Sequence, residues 1–180
     1  MKSIKLMLIV VITMAFLSCN KTESLDKYYV THQERQGFMT IDIPTDILEI
    51  NQDSLTDIQK KAYKSVSKLN FLGFKKSASD VATFIAEKEK LKKILNNTKY
   101  QELIKFSDDG KQGVVKYLGT PNAIDELILF ESEDAEGFAV VRVLGTDMNP
   151  QNIFELLRSI KEKDINTGEL KKIASFFDNK

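Results

Sequence analysis

Two hydrophobic rhythms run along the chain, and each predicts a type of element. Phe38-Met39-Thr40-Ile41-Asp42-Ile43 alternates with period two and stops at Pro44, which predicts a first strand. Ser54-Leu55-Thr56-Asp57 predicts a helix start, with Ser54 as cap and Asp57 suited to the positive end of the helix dipole. Val66 to Phe74 predicts a second strand, its apolar side chains supplied by Val66, Leu69, Phe71, Leu72 and Phe74. Ser79 is placed to cap a long amphipathic helix reaching about Asn96, with Val81, Phe84, Ile85, Leu91 and Leu95 on one face and Lys88 interrupting it. Asn149-Pro150 predicts another helix start, followed by the stripe Ile153, Phe154, Leu157 and Ile160. A last helix is expected from Thr167 to Phe177, with Leu170, Ile173 and Phe177 facing inward.

Between the two longer helical patterns lies an internal repeat. Residues 102–120 read ELIKFSDDGKQGVVKYLGT and residues 126–146 read ELILFESEDAEGFAVVRVLGT. They align without a gap from Glu102/Glu126 to Gly113/Gly137. The second copy then inserts Phe138-Ala139, and Val114/Val140 to Thr120/Thr146 realign. A two-residue insertion preserves the inside–outside alternation of a strand. Each copy reads strand, polar turn, strand, Gly-Thr, so together they predict a four-stranded antiparallel meander.

The expected fold is therefore α+β: a two-layer sandwich with one mostly antiparallel sheet of about six strands and helices on one face. Val115 and Tyr117 share a face with Val141 and Val143; Val114, Lys116 and Leu118 share the other with Val140, Arg142 and Leu144. A basic residue at the centre of each second strand suggests that this other face is open to solvent or a partner. Residues 20–36 lack a sustained apolar period and read as a polar tether, with room for some helix. The chain thus divides into residues 1–18, a tether over 19–36, a domain over 37–162 and a C-terminal helix over 163–180.

The first residues are of a different kind. Lys2 and Lys5 precede an apolar stretch from Leu6 to Leu17, and Ser18 is followed by Cys19, the single cysteine. This is the layout of a secretory signal peptide. The apolar core is about twelve residues, whereas a membrane-spanning helix needs about 20. A small residue before a cysteine makes the segment resemble a bacterial lipoprotein signal, although Phe16 stands where leucine is usual. The resemblance implies cleavage before Cys19, a diacylglyceryl group on its sulfur and an amide-linked acyl chain, enough to anchor stably. By the same resemblance, Asn20 in place of aspartate does not favour retention in the inner membrane, which leaves the outer membrane, periplasmic face, as the default.

Removing residues 1–18 takes Lys2 and Lys5 and leaves 24 basic side chains against 26 acidic ones. That balance argues against nucleic acid as partner, which calls for a basic stripe. With Cys19 acylated, no thiol remains for a disulfide, nucleophilic chemistry or metal ligation.

Little else suggests catalysis. His32, the single histidine, lies in the polar tether and reads as a solvated residue. Nucleophile–histidine schemes and histidine-rich zinc sites then lack their central group. Glu131, Glu133, Asp134 and Glu136 crowd the second hairpin turn but lack the spacing of an EF-hand, so they read as a solvated turn rather than a calcium site. Asp42 is a lone mid-strand acid with no evident partner for glycoside hydrolysis. No cofactor is expected. The pair that stands out is Lys116 and Arg142, at equivalent positions of the two hairpins. Two neighbouring cations on one sheet face could bind a carboxylate, a phosphate or an acidic partner surface; the bland alternative is that both snorkel along an exposed face.

Three features together carry a family resemblance: the Phe38–Ile43 strand, the Leu103–Leu118 hairpin, and the Val140–Leu144 strand feeding the Pro150 helix. With the export signal and tether, this order resembles the Bacteroidetes lipoprotein family named domain of unknown function 4252, over roughly residues 35–160. The resemblance implies no catalytic residues and a role in envelope sensing or maintenance. The leading expectation is a non-catalytic envelope lipoprotein that binds another protein through its open sheet face, its sheet edge or its C-terminal helix. The alternative is a small-ligand or ion-binding sensor linked to envelope signalling.

Overall fold

The computed structural model describes residues 23–47, 50, 52–159 and 168–176. In chain order the elements are α1 (Leu25–His32), β1 (Phe38–Pro44), α2 (Asp57–Ser65), β2 (Val66–Lys75) and α3 (Val81–Leu95). Then come β3 (Gln101–Asp108), β4 (Lys111–Thr120), β5 (Ala123–Glu133), β6 (Gly137–Met148), α4 (Pro150–Ser159) and α5 (Gly168–Phe176). The strands form one six-stranded antiparallel sheet in the order β1-β2-β6-β5-β4-β3. The fold is α+β, and the two repeated segments form the meander that their sequences predict.

Local chemistry explains the hairpins. Asp109 and Gly110 both take positive φ, 35° and 83°, in the two-residue connection between β3 and β4. Asp-Gly suits that geometry because both central residues of such a turn lie in the left-handed region. The connection from β2 to β3 is different in kind, because it must cross the sheet. Four strand spacings separate β2 from β3, about 19 Å. The 15 residues of α3 span about 22 Å, long enough to carry the chain from one side to the other.

Helices cover both faces of the sheet, and this corrects the expectation of a single covered face. Leu25, Tyr28 and Tyr29 of α1 and Phe84, Leu91, Ile94 and Leu95 of α3 pack on Leu72, Phe74, Ile128, Phe130, Phe138 and Val140. On the reverse face, Ala62 of α2 and Ile153 and Leu156 of α4 pack with Val115, Tyr117, Leu127 and Val143. Ile173 and Phe176 of α5 pack near Ile41, Ile43 and Phe71. A methyl group at Gly73 would lie 2.6 Å from the Phe176 ring, so the bare backbone there admits the helix. The strands are apolar on both sides, which is why one layer of helices cannot bury them. The grouping of residues by face holds, whereas the openness of the Lys116/Arg142 face does not.

Three boundaries shift for physical reasons. The tether expected over 19–36 is shorter, because residues 25–32 form α1 and sink Leu25 and Tyr28 fully into the core. Fully burying such a side chain contributes about 1.5–3 kcal/mol. Helix α2 is capped by Thr56 rather than Ser54, through a reciprocal box with Gln59. Helix α3 follows Asp80 with no side-chain cap, and its buried stripe is Phe84, Glu87, Leu91, Ile94 and Leu95. Val81 and Ile85, expected inside, are exposed. Helix α4 starts as expected, with the Asn152 amide donating to Asn149 Oδ1 at 3.1 Å, but it buries Leu156 and exposes Leu157.

Candidate functional site

Strand register builds one polar row across the α1/α3 face. Asp42, Asn70, Arg142, Ile128, Lys116 and Glu102 stand side by side on the six strands. Arg142 and Lys116 are therefore two strand spacings apart, about 10 Å, with apolar Ile128 between them. They share a row without forming a two-cation site. Both are buried, which overturns the reading of cations snorkelling along an open face.

Arg142 is held by two carboxylates. Its Nε donates to Glu126, and its Nη2 donates to Asp26 Oδ1 at 2.7 Å. The guanidinium lies over the Tyr29 ring, 5.2 Å from its centroid. Burial opposes the charge, but hydrogen bonds and attraction from Glu126 and Asp26 outweigh it and push the Arg142 pKa up. Tyr29 in turn donates to the Val140 carbonyl at 2.9 Å, and burial pushes its phenol up. This arrangement fastens α1 to the sheet. Asp42 accepts from Asn70 at the end of the row.

His32 is buried, not solvated, and this corrects the tether reading again. Its Nδ1 donates to the Tyr28 carbonyl at 2.6 Å, and its ring stacks on Tyr28 with centroids 3.9 Å apart. Nε2 lies 3.1 Å from Glu87 Oε2 and 3.0 Å from Arg35 Nη1. Tyr28 donates its hydroxyl to Glu87 Oε2 at 2.9 Å, and Arg35 donates to Glu87 Oε1. Burial raises the Glu87 pKa, yet the hydrogen bonds from Tyr28 and Arg35, with the charges of His32 and Arg35, hold it below the usual carboxylate range. Burial and the Glu87 charge push the Tyr28 phenol up. These groups satisfy one another, and the cluster clamps α1 against α3. The acid on the inner stripe of α3 is the sequence signal: Glu87 is followed four residues later by Leu91, on one helix face, where an apolar residue is the rule.

Two of the acids in the second hairpin turn meet lysines. Lys88 donates to Asp134 Oδ1 at 2.7 Å, and that hydrogen bond and charge hold the Asp134 carboxyl below its ordinary value. Lys111 stands 3.2 Å from Glu133, which raises the lysine pKa by hydrogen bond and charge. Among the described residues no group of three or more histidine, cysteine, aspartate or glutamate side chains is placed to hold a metal ion.

Strand β3 differs from every other strand. Like β1 it ends the sheet, but all eight of its residues are exposed. A register shift between Glu102 and Ile104 interrupts its pairing with β4. From there Ile104 and Phe106 face the same way as Val115 and Gly113, with the Phe106 ring laid over Gly113. Leu103, Ile104 and Phe106 are three of the large apolar side chains that the molecule leaves exposed. Leu103 and Ile104 also line an open groove of about 560 Å³, whose far wall is Pro150, Phe154 and Arg158 of α4. Cys19 and the 1–18 segment lie outside the described residues.

A model of a protein family, described as a domain of unknown function (DUF4252), matches residues 28–156. The match takes in most of α1, in keeping with its place in the core. No curated protein and no solved structure matches the chain.

Proposed function

The chain belongs to the DUF4252 family, and we propose that it is a lipid-anchored envelope protein that works without catalysis, by binding an extended segment of another envelope protein along β3. The observation that carries this reading is the open edge: eight exposed residues, three of them large and apolar, beside a groove lined in part by Pro150 and Phe154. An edge strand presents a row of unpaired backbone donors and acceptors, which invites a further strand. Strand addition draws affinity from those main-chain bonds and specificity from alternate side-chain pockets. The bulge at Glu102–Ile104 and the charge of Lys105 restrain indiscriminate pairing.

The anchor is the second half of the proposal. Cleavage before Cys19 and acylation of its sulfur would tether the domain to a membrane, with the periplasmic face of the outer membrane as the proposed location. No helix among the described residues is long and apolar enough to cross a membrane. Labelled palmitate fed to producing cells should enter the full-length protein and not Cys19→Ala; equal or absent labelling removes the anchor from the reading.

The edge is tested in the native envelope with a photo-crosslinking residue at position 104, and at position 58 on α2 as an equally exposed control. One discrete adduct is expected from position 104, lost in the Leu103→Lys/Phe106→Lys background. No adduct at 104, or the same adduct at both positions, ends the proposal.

A further inference from the structure

Lys116 is a buried cation with a poor partner. The residue is 9 % exposed, and its nearest carboxylate is Glu102 at 3.9 Å, beyond hydrogen-bond reach. Glu102 is itself half exposed, on the edge strand. Arg142, in the same row, has two carboxylates in direct contact. Buried charges are normally paired and hydrogen-bonded, because leaving water costs several kcal/mol per ion.

The unmet ammonium lines a cavity of about 380 Å³ between the C-terminal end of α3 and strands β3 and β4. Lys92 and Lys105 line it too, against the single acid Glu102. Lys92 reaches Glu89 on its own helix at 3.0 Å. Leu95 and Phe130 supply an apolar wall. The lining is thus mixed, charged on one side and apolar on the other, which suits a small amphiphilic ligand. Three lysines against one glutamate select an anion. The nearby end of α3 is the negative end of its dipole, and no guanidinium fork is present, so a doubly charged phosphate is poorly matched.

We propose that this cavity binds a singly charged amphiphile, a carboxylate carrying a short apolar chain, with the head group accepting from Lys116 and the chain against Leu95 and Phe130. The cavity shares Lys105 and Phe106 with β3, but its head-group contact, Lys116, lies on β4, so the Lys116 variants test this proposal apart from the edge.

The test is titration calorimetry of the full-length protein with hexanoate, acetate, hexanol and monohexyl phosphate. Hexanoate should bind saturably at one site. Acetate lacks the chain and hexanol the charge, so each should bind at least tenfold more weakly, and hexyl phosphate should not exceed hexanoate. Lys116→Met should weaken hexanoate at least tenfold while leaving hexanol unchanged. Should that variant fail to fold, Lys116→Gln replaces it, and the unmodified protein supplies a second readout: hexanoate affinity must fall as salt rises, while hexanol affinity does not. No saturable hexanoate binding up to 10-millimolar order, or equal binding by the folded Lys116 variant, overturns the proposal. Tighter binding of hexyl phosphate overturns the single-charge assignment.

Discussion

The two hairpins share ten identical positions, yet one lies in the core and the other on the rim. Glu-Leu-Ile opens both first strands, and a phenylalanine follows two residues later. In β5 these residues are sealed: Ile128 is 0 % exposed and Phe130 is 3 % exposed. Their counterparts in β3 are open, with Ile104 at 47 % and Phe106 at 38 %. The same side chains meet different fates because β5 has neighbours on both sides and helices on both faces, whereas β3 ends the sheet. Register adds to the difference. Phe130 stands opposite Val114 and Val140 on the α1/α3 face, while the bulge in β3 turns Phe106 to the reverse face, opposite Gly113. Burial is therefore a property of place in the sheet rather than of the motif.

The sharpest contrast is between the equivalent cations. Arg142→Ala leaves Glu126 buried without its partner and should cost about 3–5 kcal/mol in urea-induced unfolding. Lys116→Met removes a buried charge with a distant partner and should change stability by less than about 0.5 kcal/mol or raise it. Equal losses at both positions would erase the distinction drawn between them. The phenylalanines follow. Phe130→Ala should cost about 3–5 kcal/mol, within the range for buried aromatics, and Phe106→Ala about 1 kcal/mol, measured the same way.

The equivalent glycines should separate by less. Gly137 has φ 137°, and a methyl group there would lie 1.9 Å from the Phe74 carbonyl oxygen. Gly137→Ala should therefore cost about 1–3 kcal/mol through backbone strain. At Gly113 the obstacle is the Phe106 ring, a side chain on the exposed strand that can swing away. Gly113→Ala should cost less than Gly137→Ala, and the reverse order would mean that the Phe106 ring is held fast.

The helices covering the second hairpin offer a pH-dependent contrast. The Glu87 pKa is lowered on folding, so its ionised form adds stability above the ordinary carboxylate range. That contribution should fade as pH falls through its lowered value. Thermal midpoints of the unmodified protein and Glu87→Gln should converge on acidification, and a constant gap would place the stabilisation elsewhere. The smallest effect belongs to the rim: Leu103→Lys should shift stability by no more than about 0.5 kcal/mol, while weakening the proposed partner adduct from position 104.

Much of the architecture was legible because it rests on local alternation. The period-two runs, the Asp-Gly turn, Asn149-Pro150 and the repeat determine the strands, their meander and the start of α4. They also determine which residues share a face, since parity along a strand is a local property. The aromatic and aliphatic residues on both parities of β5 and β6 hold the clue that both faces are covered, but periodicity cannot say by what. Lys105, where the second copy has Leu129, is the single local sign that β3 is an edge.

Tertiary structure alone decided the rest. Tyr28 and His32 look polar in isolation, yet they are buried because Glu87, 55 residues beyond His32, satisfies their polar atoms. Arg142 meets Asp26 across 116 residues, and Lys116 receives no comparable partner although it occupies the same position of the repeat. Sequence determines which groups can ionise, donate and alternate. Only the folding together of distant segments determines which of them leave water with a partner, and that difference separates a structural clamp from a site with a charge still to be met.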